Sequence, residues 1–187
     1  MGARAIMANY VNAYSPKVTR IIGGWSIPHG GFVKVNVNAA FDHDLFQGTV
    51  VAVLRDDKGR FIVRGNWKID WCDDVLTAKA QTLKFGLFLA QMAGCTRLVV
   101  NSENMEVIDT MKNGGHSVGA AGAVFDDCYV LACDFPVVKF VHCNTKANKV
   151  AHEIARLAKI SATRDGFEEP MNDSVPLVMD DVTIISN

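Results

Sequence analysis

The chain has 187 residues, 49% of them hydrophobic and 21% charged, with a formal net charge of −1, the composition of one globular domain with room for a short tail. No apolar run approaches the roughly 18 residues that a membrane-spanning helix needs, and a near-neutral chain has no overall electrostatic pull on nucleic acid. Five cysteines, an odd number without any C-x-x-C pair, argue against a zinc site or a disulfide framework and for small apolar packing residues in a reducing compartment.

The first 41 residues contain no Asp or Glu but carry Arg4, Lys17, Arg20 and Lys34. Acid-poor basic segments of this kind are a feature of mitochondrial targeting peptides. Ile6, Met7, Tyr10, Val11 and Tyr14 also fall at helical spacing before Pro16, so residues 1–24 read first as a short helix and linker. Residues 32–41 then alternate, Val33, Val35 and Val37 against Lys34, Asn36 and Asn38, which is strand periodicity. A second strand is expected over 49–55 and a third over 60–69, joined by a hairpin turn at Asp56-Asp-Lys-Gly59 in which glycine supplies a positive φ.

Residues 74–92 read as a long helix with Asp73 or Asp74 as cap, an apolar stripe of Leu76, Ala80, Leu83, Leu87 and Ala90, and Gly94 as its stop. A short buried strand follows over 97–102, a short helix over 104–112, and a helix over 119–133 weakened at its start by Gly119 and Gly122. Val137–Cys143 is the fifth strand, and Ala147–Ala162 the last helix, with Val150, Ile154, Leu157 and Ala158 turned inward. Residues 163–187 are acidic, contain Pro170 and Pro176, and read as a tail in which Val182, Ile184 and Ile185 are candidates for a short strand. Three hairpin-linked strands followed by helix–strand–helix–strand–helix make an α/β fold, a five-stranded mixed sheet flanked by helices. The domain itself is expected over residues 25–162.

Five pieces of the chain together carry a resemblance. Trp25-Ser-Ile-Pro-His-Gly-Gly-Phe-Val-Lys-Val-Asn-Val-Asn-Ala-Ala-Phe41 is similar to a "W-x-x-P-x-G-x-K-x-N-x-D-G-A" opening, and Val50-Val-Ala-Val-Leu-Arg-Asp-Asp-Lys-Gly-Arg-Phe61 to "G-x-V-x-R-D-x-x-G". Ala78-Lys-Ala80 stands in place of "A-E-A", and Val99-Val-Asn-Ser-Glu-Asn104 in place of "V-x-S-D-S". Phe140-Val-His-Cys-Asn-Thr-Lys-Ala-Asn-Lys-Val-Ala-His-Glu-Ile-Ala155 is similar to "H-V-x-R-x-x-N-x-V-A-H-x-L-A". Each piece is weak alone, but in this order and spacing they resemble the plant RNase H-like domains found in non-LTR retroelement polyproteins and in host genes derived from them. The resemblance implies a ribonuclease H-like fold.

It also implies where a cutting site belongs. Two-metal nucleases hold a pair of divalent ions on carboxylates, and the family pattern puts those acids at the positions occupied here by Asn38, Lys79, Glu103 and His152. Only Glu103 is acidic. Lys79 brings an ammonium to a place meant for a cation, and plant members often carry histidine at the position of His152. Asp42, Asp44, Asp73 and Asp74 are nearby in sequence, with capping and loop roles expected for them. A Lys79–Glu103 ion pair is one structural use of the altered site.

These residues imply a catalytically inactive fold with no metal and no cofactor, acting through a protein partner. Ile6, Tyr10, Tyr14, Phe125 and Tyr129 are the candidate contact residues, since large aromatics anchor interfaces. An RNA or RNA–DNA hybrid binder that does not cut is the alternative, drawing on Lys68, Lys79, Lys84, Arg97, Lys146 and Lys149. An active ribonuclease H with altered ligands is the third reading. No membrane role is expected, self-association is left open, and the expected location is intracellular, in cytoplasm or nucleus.

Overall fold

The computed structural model of the chain describes residues 24–160 and 166–168. Ile6, Tyr10, Tyr14 and the strand considered at Val182, Ile184 and Ile185 lie outside the described residues. Strands β1 (Val33–Asp42), β2 (Gln47–Arg55), β3 (Phe61–Ile69), β4 (Arg97–Ser102) and β5 (Val137–His142) are the five expected from sequence. Their order in the sheet is β5-β4-β1-β2-β3. β1–β2–β3 are antiparallel neighbours, while β4 runs parallel to both β1 and β5, giving the expected mixed sheet. A further strand of three residues, β6 (Gly166–Glu168), pairs antiparallel with β3, Arg64 opposite Glu168. It comes from the segment read as tail, and it covers backbone groups that the β3 edge would otherwise leave unpaired.

The local signals act where they were expected. Asp56 Oδ1 accepts hydrogen bonds from the amides of Lys58 at 2.9 Å and Arg60 at 2.8 Å, and Gly59 takes φ 77° to close the β2–β3 turn. Helix α1 (Val75–Met92) is capped by Asp74, whose side chain accepts from the Thr77 amide at 2.6 Å. Beyond its end, Gly94 at φ 68° lets its own amide reach Gln91 O and the Cys95 amide reach Ala90 O, a Schellman closure. α2 (Met105–Lys112) is capped by Asn104, and α3 spans Ala121–Cys133. α4 (Lys149–Ile160) is preceded by a 3-10 turn, Thr145–Asn148, capped by Asn144.

The two sheet faces are covered differently. Val35 and Val37 of β1 pack with Leu83 and Leu87 of α1 and with Phe125 of α3. A Cβ on Gly86 would stand 2.5 Å from Val37 Cγ1, so glycine is what lets α1 lie this close to β1. On the other face Val150, Ala151 and Ile154 of α4 cover Val51 and Val53 of β2. β1 is central, and so the polar half of its alternation, Lys34, Asn36 and Asn38, is buried as well. Those groups must find partners inside the protein.

Two expectations are corrected here. Phe125 and Tyr129, considered as partner contacts, are 0% and 6% exposed and belong to the main core, because α3 turns them toward α1 and the sheet. Leu157, expected inward, is 47% exposed, one turn past the part of α4 that lies over β2. Among the described residues no helix is long and apolar enough to cross a membrane.

Candidate functional site

Asn38, Lys79, Glu103 and His152 come from four separate elements and converge. Asn38 lies midway along β1, Lys79 in the second turn of α1, Glu103 just past β4, and His152 in the first turn of α4. Asn38 Oδ1 accepts from Lys79 Nζ at 2.8 Å and from the Ala39 amide at 3.0 Å. Its Nδ2 stands 3.2 Å from His152 Nδ1, and that ring nitrogen lies 3.7 Å from Glu103 Oε1.

Lys79 Nζ donates a second bond, 2.8 Å, to the Ala39 carbonyl. Burial pulls the Lys79 pKa below its ordinary value, and the opposing influence is the charge of Glu103. The Lys79–Glu103 ion pair considered from sequence does not form: the ammonium bonds to Asn38 and the β1 backbone, and Glu103 is held by Thr145 and Asn148.

Glu103 is held from the α4 side. Its Oε2 accepts from Thr145 Oγ1 at 2.7 Å and its Oε1 from Asn148 Nδ2 at 3.0 Å. Asn148 also donates to Val37 O at 3.0 Å and accepts from Asn36 Nδ2 at 3.0 Å, and Asn36 Oδ1 accepts from Trp25 Nε1 at 2.9 Å. Trp25, Asn36 and Asn148 are buried, so this chain of amides holds the 3-10 turn and α4 to β1 and aims Glu103 at the site. Sequence reasoning did not single out Asn148. Its signal was present, as the asparagine of the "N-x-V-A-H" piece.

The donors do not suit a pair of divalent cations. Such ions need several anionic oxygens. Here one carboxylate faces one amide, one imidazole and an ammonium already bonded to the amide oxygen. Among the described residues no group of three or more His, Cys, Asp or Glu side chains is placed to hold a metal ion. Of the neighbouring acids, Asp42 and Asp74 are engaged in local structure: Asp42 Oδ1 accepts from the Asp44 and Leu45 amides, and Asp74 caps α1, while Asp44 and Asp73 are exposed.

The candidate cations for nucleic acid are dispersed. Lys68 faces Asp70 at 3.8 Å and Lys84 pairs with Asp127 at 2.8 Å. The Arg97 guanidinium lies 4.2 Å from the centre of the Phe32 ring, and Lys79 is inside the site. Cys128 and Cys143 are buried, and burial pushes their thiols up to about 12 and about 11, so neither is a thiolate at neutral pH.

A reverse transcriptase-like family model matches residues 36–158. No curated protein matches the sequence. Among solved structures, RNase H1 of the halophilic archaeon Halobacterium salinarum superposes with a TM-score of 0.64 at 17% identity, over 70% of this chain and 99% of that one. The N-terminal RNase H domain of a Mycobacterium tuberculosis protein gives 0.59 at 18% identity, over 71% and 99%. LC11-RNase H1, isolated from compost and solved in complex with an RNA/DNA hybrid, gives 0.61 at 17% identity, over 69% and 99%. At these identities the likeness is one of fold, and it spans nearly the whole of each RNase H chain.

Proposed function

The chain belongs to the reverse transcriptase-like family, and from that membership we propose that it is an RNase H-like domain of the plant, retroelement-derived type that no longer cuts and serves as a protein-interaction or regulatory module. The observation that carries this reading is the Lys79 ammonium, 2.8 Å from both Asn38 Oδ1 and the Ala39 carbonyl. It stands among the side chains that a nuclease of this fold would use for metal, and no set of acids surrounds it.

Protein is favoured over nucleic acid by charge. A hybrid binder needs a basic stripe facing phosphates, yet of the six candidate cations Lys68 and Lys84 lie against acids, Arg97 lies on an aromatic ring and Lys79 is in the site, which leaves two, Lys146 and Lys149, exposed on the turn into α4. A fold hosts many functions, so the decisive test is chemical. Purified full-length protein is expected to leave an RNA–DNA hybrid intact with Mg²⁺ or Mn²⁺. Metal-dependent cleavage that disappears in Glu103→Ala would overturn the proposal and make the protein an active ribonuclease with altered ligands.

A further inference from the structure

We infer that the β1–β2 hairpin tip and the loop entering α1 together form a docking surface for a basic protein segment, one that presents arginine or lysine among apolar residues. This deepens the reading of the protein as an interaction module and rests on it.

The apolar part is built from two loops. The Phe46 and Trp71 rings stack with centroids 5.1 Å apart and planes 22° from parallel, yet they remain 41% and 66% exposed. Leu45 and Val75, beside them in sequence, are exposed too. Exposed aromatics clustered in this way are costly in water and typical of contact sites. The arrangement is fixed before any partner arrives. Phe46 is the one non-glycine with positive φ among the described residues, at 52°, a backbone state disfavoured for a bulky side chain. It is held there by the Cys72 amide donating to Phe46 O at 2.8 Å and by Asp42 Oδ1 accepting from the Leu45 amide. A preformed surface of this kind loses little entropy on binding.

The rim chooses the partner. Within the two loops, residues 42–48 and 68–75, there are five aspartates, Asp42, Asp44, Asp70, Asp73 and Asp74, against one lysine, Lys68. Asp44, Asp73 and Asp74 are exposed, and so is Asp70, which Lys68 faces at 3.8 Å. Burial is the main reason the Cys72 thiol is pushed up; its hydrogen bond to the Asp74 carbonyl opposes this, and the charges of Asp74 and Asp73 add to it. A phosphate backbone is repelled by such a rim, and so is a second copy of the same patch. A guanidinium is attracted twice, by the carboxylates and by the face of Trp71. By contrast, the groove of about 730 Å³ lined by Trp67, Phe85, Phe88 and Val130 has two matched charged pairs, Lys84 with Asp127 and Lys68 with Asp70, and it expresses no preference between basic and acidic partners.

The test uses the full-length ¹⁵N-labelled protein and two synthetic amphipathic peptides with one pattern of leucines, carrying arginine in one and glutamate in the other at every polar position. The Trp71 indole signal, identified by its loss in Trp71→Phe, should move saturably with the arginine peptide and stay in place with the glutamate peptide. The Trp25 indole, hydrogen-bonded to Asn36, should not move. The double change Asp44→Lys with Asp73→Lys touches neither cap and should weaken arginine-peptide binding by about tenfold, the scale of two exposed charge contacts. An unmoved Trp71 signal, equal response to both peptides, full affinity in the charge-reversed variant, or a Trp71 shift caused by a single-stranded oligonucleotide instead would each overturn the assignment. Those failures are separate from hybrid cleavage, which would overturn the module reading itself.

Discussion

The ammonium at position 79 makes a quantitative prediction about metal. A Mg²⁺ ion bound to Asn38 Oδ1 at about 2.1 Å would lie within about 5 Å of Lys79 Nζ, because that nitrogen is 2.8 Å from the same oxygen. At an effective dielectric near 20, a divalent and a monovalent cation at that distance repel by about 7 kcal/mol, on the order of 10⁵ in affinity. Millimolar Mg²⁺ should therefore leave the Tm of the unmodified protein unchanged, since only a ligand that binds the native state raises it. Asn38→Asp combined with Lys79→Glu removes the ammonium and places three carboxylates at positions 38, 79 and 103. If that site binds Mg²⁺ with a Kd of about 1 mM, then at about 10 mM the ion stabilises the fold by about 1.4 kcal/mol, a rise of roughly 3–6 °C for a chain of this size. Thermal scans by circular dichroism with Mg²⁺ and with EDTA measure it directly. A Mg²⁺-dependent rise in the unmodified protein would refute the reasoning. A folded double variant without any shift would show that charge is not what keeps metal out.

Asn148→Ala should cost about 1–3 kcal/mol in urea unfolding, because it takes the side-chain donor from the buried Val37 O and removes the bonds to Glu103 Oε1 and Asn36 Nδ2; no measurable loss would mean these groups are satisfied another way. Stability should also depend on pH through Lys34, which is buried under Trp25 and hydrogen-bonded to Ser26. Burial lowers its pKa from 10.5 to about 8, so between those values the unfolded chain holds more protons and stability rises with pH. Relative to Lys34→Met, the unmodified protein should gain about 1 kcal/mol from pH 7 to pH 9, measured by denaturant titration at each pH. The raised thiols Cys128 and Cys143 act in the opposite direction above about pH 9, where the unfolded chain loses their protons first; Cys128 does so in both proteins, while Cys143 also feels the Lys34 charge, so the window ends at about pH 9. A difference that stays flat across this range would place the Lys34 ammonium in contact with water.

The sequence by itself determined the elements and their order. The alternation of Val33, Val35 and Val37, the Asp56–Gly59 turn, the Asp74 cap and the Gly94 stop all act over a few residues, so the chain carries them whatever surrounds it. It also marked Asn38, Lys79, Glu103 and His152 as one site, through spaced motifs whose meaning came from a resemblance. Only the tertiary structure decided what those side chains do. Asn38 and Lys79 are 41 residues apart and Asn148 and Glu103 are 45 apart, and no local pattern says that Lys79 bonds to Asn38 while Asn148 holds Glu103. The same limit explains Phe125 and Tyr129: an apolar stripe shows that a helix has a face to cover, and the packing of α3 on α1 decides that its own domain covers it. Conversely Phe46 and Trp71 have no periodicity at all. Their pairing exists because two loops far apart in the chain are held edge to edge at one end of the sheet, a contact that depends on long-range backbone geometry rather than on any neighbour in sequence.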